Sequence, residues 1–201
     1  MSFVDELLDV YKGVLTQPSE FFESEDRRDG FGFSLKFAAV NLAISAVLST
    51  VSVVAFGAAS SALSETGLGI GVGLIAAFTL IGSPILGLIG LLISSGIIHI
   101  FVSLLGGEHG YSETLSAMEY ATAVQPLTAV FSLIPILGSL VNFVIWIYAI
   151  FLQTKGIENF QEMSTGRALA AVLLPVLIVF AIVFAIAVVV FAGALAGISA
   201  A

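Results

Sequence analysis

Four stretches of this 201-residue chain contain no aspartate, glutamate, lysine or arginine: Phe37 to Ser64, Thr66 to Gly107, Tyr120 to Thr154 and Ala168 to Ala201. Each is longer than the roughly 20 apolar residues that cross a hydrocarbon core of about 30 Å as a helix. Four gaps therefore hold four or more spans. Composition agrees, with 59% hydrophobic and 10% charged residues and a mean hydropathy of +1.14, whereas a soluble domain carries about a quarter charged residues. The expected fold class is all-α, a polytopic transmembrane helical bundle.

Breakers divide the gaps into five spans. Phe33 to Gly57 reads as the first. The run GLGIGVG, Gly67 to Gly73, is a poor helix start because each glycine costs about 1 kcal/mol relative to Ala, so the second span is placed at Leu80 to Leu105, with Pro84 near its first turns and Gly106-Gly107 as its stop. The stretch before it is expected to be interfacial or re-entrant. Ser112 and Glu113 suit the start of a third span that runs to Ile134 with a kink at Pro126. IPILGS, Ile134 to Ser139, makes a helical hairpin into a fourth span, Leu140 to Ile157; the fifth is Arg167 to Leu195. The resulting division is an N-terminal cytoplasmic segment, 1–32, a five-span domain, 33–195, and a tail, 196–201.

Five spans and a cytoplasmic N-terminus put Lys12, Arg27, Arg28, Lys36, Lys155 and Arg167 all on the cytoplasmic side, as the positive-inside rule requires. A further crossing at Gly69 to Ile81 would move Lys155 and Arg167 outside. The expected location is the cell membrane, multi-pass, with the C-terminus outside. The first apolar run begins only after about 32 polar and mixed residues, and the extreme N-terminus lacks a basic cluster, so no secretory signal peptide is expected.

There are no cysteines, which removes disulfides and thiolate metal sites. Net charge is −8, and eight of the fourteen acids precede Phe37, so nucleic acid is not an expected partner. An acidic surface with few lysines fits a salt-loving, archaeal type of source and equally an ordinary solvated tail. The chain has no H-E-x-x-H, no G-x-S-x-G, no P-loop and no aspartate in any span, so it is not expected to be an enzyme or to hold a cofactor.

Before the first span, Phe3, Val4, Leu7, Leu8, Tyr11, Val14 and Leu15 recur at helical spacing with Asp5, Glu6, Asp9 and Lys12 opposite them. Pro18 ends this helix, and Ser19 can cap a second short one carrying Phe21 and Phe22. Interfacial helices usually present lysine or arginine to anionic lipid, and this polar face is acidic. The stripe, with Leu7, Leu8, Tyr11, Pro18, Phe21 and Phe22 as its docking residues, is therefore expected to dock under the bundle at the cytoplasmic surface.

The pattern Y-K-G-V-L-T-Q-P-S-E-F-F, followed by I-H-I-F-V-S-L-L-G-G-E-H-G-Y-S-E-T-L from Ile98 to Leu115, M-E-Y and Pro126, resembles prokaryotic members of the YIP family, membrane proteins named for binding Ypt/Rab small GTPases. The resemblance covers about Tyr11 to Leu195. It implies a five-span, all-α domain with a cytoplasmic N-terminus and, by analogy with eukaryotic relatives, a non-enzymatic scaffold or adaptor role in trafficking or membrane organisation. The D-L-Y-G-P type of motif expected before the first span is absent here, a departure that counts against small-GTPase binding.

His99 and Glu119 are the ionisable groups within spans, which makes them functional candidates by default. At 1.5 Å per residue both sit about 9 to 10 Å in from the same face, on neighbouring antiparallel helices, so the two could meet. Ser95, His99 and Ser103 form one stripe, and Ser112, Ser116, Glu119 and Thr122 another. Three readings are open: a hydrogen-bonded seam fixing helix register, a proton or ion relay of a small transporter or channel, and a metal site using His99, His109, Glu108 or Glu119. Further stripes mark helix packing in lipid: Asn41, Ser45, Ser49 and Ser52; Asn142, Trp146, Ala149 and Gln153; and Ala181, Ala185, Ala192 and Ala196, with Gly193 and Gly197. The expected partners are the bilayer and a membrane protein or a second copy of the chain.

Overall fold

The computed structural model describes residues 2–24, 31–63, 69–134 and 136–199, and the side chains of all these except 58–63, 69–70 and 192–199. Arg27, Arg28, the acids of 25–29, Pro135 and the side chains of Ala192, Gly193, Ala196 and Gly197 lie outside what is described. Every regular element among the described residues is a helix: α1 Phe3–Thr16, α2 Pro18–Glu23, α3 Phe33–Leu63, α4 Gly69–Ala77, α5 Ser83–Leu104, α6 Tyr111–Ala121, α7 Gln125–Phe131, α8 Leu137–Phe160 and α9 Thr165–Ser199. Four stretches are long and apolar enough to cross a membrane, Phe33–Gly57, Gly71–Leu104, Leu137–Phe160 and Thr165–Phe191. The protein is a multi-pass membrane protein.

The breakers act differently from the expectation at two places. The glycine-rich start of the second span is helical from Gly69 and runs into α5 through a single π-helical stretch, Phe78–Gly82. Pro84 explains the π stretch: its ring excludes the carbonyl four residues back and it has no N–H to give, and one extra residue per turn absorbs the mismatch. Ser83 hydroxyl also bonds the Thr79 carbonyl there. Glycine's helix cost is overridden because backbone groups in hydrocarbon have only each other to bond.

The third expected span is broken. α6 gives way to a 3-10 turn, Thr122–Val124, and then to α7, in which Pro126 lies in the first turn. The break thus precedes Pro126, which has no N–H for the Thr122 carbonyl; that carbonyl accepts from the Gln125 amide, and Thr122 Oγ1 donates to the Glu119 carbonyl at 2.6 Å. Helix α6 starts at Tyr111 with Gly110 at its N-cap, and Ser112 bonds the adjacent Glu113 rather than capping. Likewise Gln17, not Ser19, stands at the N-cap of α2, with Pro18 at its first position.

Helix α6 is the centre of the fold. It packs against α3, α5 and α8, and every residue from Thr114 to Val124 is buried. Yet it carries Thr114, Ser116, Glu119, Tyr120 and Thr122. The least apolar membrane-level helix is the one kept from lipid, as the cost of unsatisfied polar groups in hydrocarbon demands. We call the end where α3, α6 and α9 begin and α5 and α8 finish the proximal end. Toward the distal end the bundle loosens, and Leu177, Phe180, Val183 and Phe184 of α9 and Leu140, Phe143 and Val144 of α8 are exposed.

Candidate functional site: a polar seam around α6 and a docked hairpin

Two polar clusters flank α6 at the proximal end. On the α3 side, the Ser34 hydroxyl donates to Glu119 Oε2 at 2.6 Å and lies 3.5 Å from Ser116 Oγ, and Asn41 Nδ2 donates to Thr122 Oγ1 at 3.1 Å. Ser34, Asn41, Ser116 and Glu119 are all fully buried. On the α5 side, His99 Nδ1 is 2.9 Å from Thr114 Oγ1 and its Nε2 is 3.5 Å from Ser103 Oγ. Ser95 Oγ is 3.0 Å from the Tyr111 hydroxyl and also bonds the Leu91 carbonyl.

His99 and Glu119 therefore have separate partners. At 100° per residue, Thr114 and Glu119 point about 140° apart on α6, so a histidine on α5 that meets Thr114 faces away from Glu119. Asn142 sits away from both clusters, donating to Ser132 at 3.1 Å near the distal end. Ser45 bonds the Asn41 carbonyl of its own helix. His109 Nε2 lies 3.0 Å from Glu162 Oε1. Among the described residues no three of His, Cys, Asp and Glu converge as metal ligands; His99 meets Thr114, His109 meets Glu162 and Glu119 meets Ser34.

The sequence reading missed Gln161. It follows α8, is fully buried, and holds the whole α5–α6 loop: its Nε2 donates to the Gly110 carbonyl at 2.9 Å and to Thr114 Oγ1 at 3.0 Å, while its Oε1 accepts from the His109 amide at 3.1 Å. The loop is preset by a Schellman stop, in which the Gly107 amide reaches the Val102 carbonyl at 2.9 Å and Gly106 takes φ +88°. Ser34 was also missed, although it lies seven residues before Asn41 and so extends the Asn41 stripe by two turns.

The N-terminal segment forms a helical hairpin. Ser2 and Asp5 make a capping box at the start of α1, and the Ser2 hydroxyl holds the Asp5 carboxyl below its ordinary range. The two helices pass closely at Gly13, where a Cβ would come within 2.7 Å of Phe21 Cδ2. Val10, Val14 and Phe22 are fully buried and Phe21 nearly so. Tyr11 packs on Phe37 at 4.9 Å between ring centres, Phe21 on Tyr120 at 5.0 Å and Phe22 on Phe160 at 5.5 Å. Leu7 is half-buried beside this cluster and Pro18 half-buried at the turn. Leu8 points outward, 60% exposed. The hairpin does not lie beneath the bundle. The Tyr148 hydroxyl donates to the Leu15 carbonyl at 2.9 Å, and Tyr148 lies twelve residues before the end of α8, about 18 Å up its axis. The hairpin is a wedge that closes the remaining side of α6.

The family model described as Yip1 domain matches residues 12–199. The chain belongs to the Yip1 domain family. No curated protein and no solved structure matches it. The Yip1 domain here takes in the last turn of α1, the Gln17-Pro18 turn and all of α2 to α9, so the second arm of the wedge is part of the domain.

Proposed function

We propose that this Yip1-domain protein is a non-enzymatic membrane scaffold or adaptor of the cell membrane, with five crossings, a cytoplasmic N-terminus and an outside C-terminus. The observation that carries this reading is the dry packing around Glu119: it is fully buried on Ser34, and the polar side chains of α6 bond neighbouring helices. Such a seam fixes register, with interhelical bonds averaging about 0.6 kcal/mol, and gives an ion no wet route through Glu119. What faces outward at the proximal end is the acidic face of α1, with Asp5 and Asp9 exposed, which suits a protein partner better than anionic lipid.

The fifth crossing is α6 with its turn and α7. Tyr111 to Phe131 is 21 residues, about 31 Å at helical rise, enough for a hydrocarbon core of about 30 Å. Lys36, Lys155 and Arg167 then share one side. Membrane-impermeant labelling of single cysteines introduced beside Lys155 and beside Leu137 tests the orientation; labelling of the Lys155 site from outside the cell overturns it. Crosslinking from Asp9 in native membranes tests the adaptor role, with a discrete membrane-protein adduct expected, or an adduct with a second copy. A proton flux in liposomes that is lost in Glu119→Gln would instead establish a transporter.

A further inference from the structure

The stripe Trp146, Ala149 and Gln153 on α8 was expected to pack on another helix. Instead it lines two adjoining cavities that share Ser94, Met118, Ala149 and Gln153. One, about 380 Å³, lies between α3, α5, α6, α7 and α8 and adds Thr122 and Gln125 to the wall. The other, about 450 Å³, lies between α5, α8 and α9 and is walled by Ile98, Trp146, Val172, Pro175, Val176 and Val179. Both volumes fall within the roughly 300–1,000 Å³ of small-molecule sites.

The two ends differ in chemistry. Around the first stand Gln125, exposed, and Gln153, half-buried, whose side-chain amides have no hydrogen-bond partner among the described residues. In hydrocarbon an amide without a partner is costly, so these groups call for a polar occupant. The second end is apolar, and cavities of that kind do not fill with water; its rim is open sideways, with Trp146 51%, Val176 50% and Val179 61% exposed. Neither lining contains Asp, Glu, Lys or Arg, and a charged head at this depth would be expensive. Gln153 lies seven residues and Pro175 ten residues from the proximal ends of their helices, about 10 and 15 Å in.

We propose that the joined cavities bind a neutral, single-chain amphiphile from the bilayer, its hydroxyl or carbonyl head held by Gln125 and Gln153 and its chain lying between α5, α8 and α9. Met118 lines both cavities, at their shared boundary. The site borders the polar seam at Thr122, the acceptor from Asn41, and does not depend on the scaffold role.

The test is photolabelling of the full chain in phosphatidylcholine nanodiscs with a diazirine-bearing isoprenoid alcohol. Labelling on the α8 and α9 peptides around Trp146 and Val176 should saturate and be displaced by unlabelled alcohol. Gln125→Leu with Gln153→Leu should weaken the alcohol about tenfold, since two hydrogen bonds are lost, while a diazirine phosphatidylcholine labels both proteins alike. Met118→Trp, which adds bulk at the shared boundary, should abolish saturable labelling; if it fails to elute as a monodisperse helical protein, Ala149→Leu adds bulk there from α8. Labelling that does not saturate, displacement equally by an ionised fatty acid, or unchanged affinity in the folded glutamine variant overturns the proposal.

Discussion

The crossing of α6 and α8 rests on one missing methyl group. A Cβ on Gly156 would lie 2.7 Å from Ala117 Cβ and 3.1 Å from both Ala117 Cα and Phe22 Cε1. Carbon atoms settle at about 3.5–4.0 Å, so Gly156→Ala must drive the two helices apart by about 1 Å. The neighbours cannot yield by swinging a flexible tip, because two of the three atoms belong to or sit next to the α6 backbone and Phe22 is fully buried on Phe160. Overpacking of this kind costs about 1–3 kcal/mol, and replacing a helical glycine by alanine returns about 1 kcal/mol. The net loss should be about 1 kcal/mol. Gly90 in α5 supplies the reference, since a Cβ there meets nothing within 4 Å, and Gly90→Ala should keep the propensity gain. Subtracting the two removes propensity and leaves the clash, about 1–3 kcal/mol. Reversible unfolding in mixed SDS micelles, followed by the single Trp146, measures both. Ala117→Gly in the Gly156→Ala background should recover part of the loss. Equal midpoints for Gly156→Ala and Gly90→Ala, or no coupling between positions 117 and 156 in a double-mutant cycle, would refute the packing argument.

Val14→Asp should expose the N-terminal hairpin to protease in proteoliposomes, because Val14 is fully buried, whereas Leu8→Asp, at a 60% exposed position, should leave cleavage unchanged. Gln161→Leu strands the Gly110 carbonyl and the His109 amide, so it should destabilise by about 2–4 kcal/mol and speed amide exchange at His109 before any global change. Tyr11 has a buried hydroxyl with no hydrogen-bond partner among the described residues, and burial pushes it from 10.0 up to about 12. Its raised value means the unfolded chain gives up the proton first, so stability held below about pH 10 falls as pH rises toward 12. Tyr11→Phe should remove that part of the alkaline loss and cost nothing at neutral pH, as read from unfolding midpoints across this range.

The helical class and the membrane setting were legible because each depends on composition and length, and the family because its motifs are local runs of sequence, Tyr11 to Phe22 and Ile98 to Leu115. Charge-free runs give spans wherever helices are simple. They do not register that Pro84 is absorbed by a π stretch, or that Pro126 breaks its helix four residues upstream, since both outcomes depend on how the freed carbonyl finds a partner. The depth of His99 and Glu119 could be read from helical rise. Their facing could not, because a neighbour's identity depends on the rotation of α6 between α3 and α5, and Thr114, five residues from Glu119, carries no sequence mark of being the histidine's partner. Gln161 was invisible for another reason: it follows the last turn of α8 in a stretch that reads as solvated loop, and only the return of the chain brings it under the Gly106-Gly107 stop.

The acidic character of the N-terminal segment follows from the polarity of α6. A helix bearing Ser116, Glu119 and Tyr120 cannot face lipid, and α3, α5 and α8 leave one side of it open. The α1–α2 wedge closes that side with Val10, Val14, Phe21 and Phe22. Its affinity thus comes from burying apolar side chains against protein, about 1.5–3 kcal/mol for each large one, and not from attraction to anionic headgroups. A segment anchored in this way has no need of lysines on its outer face, which is free to carry Asp5 and Asp9. The same logic accounts for the distal half. Beyond Val124 the α7 surface opens again, with Gln125 exposed. There Gln125 lines the first cavity, together with Gln153 of α8.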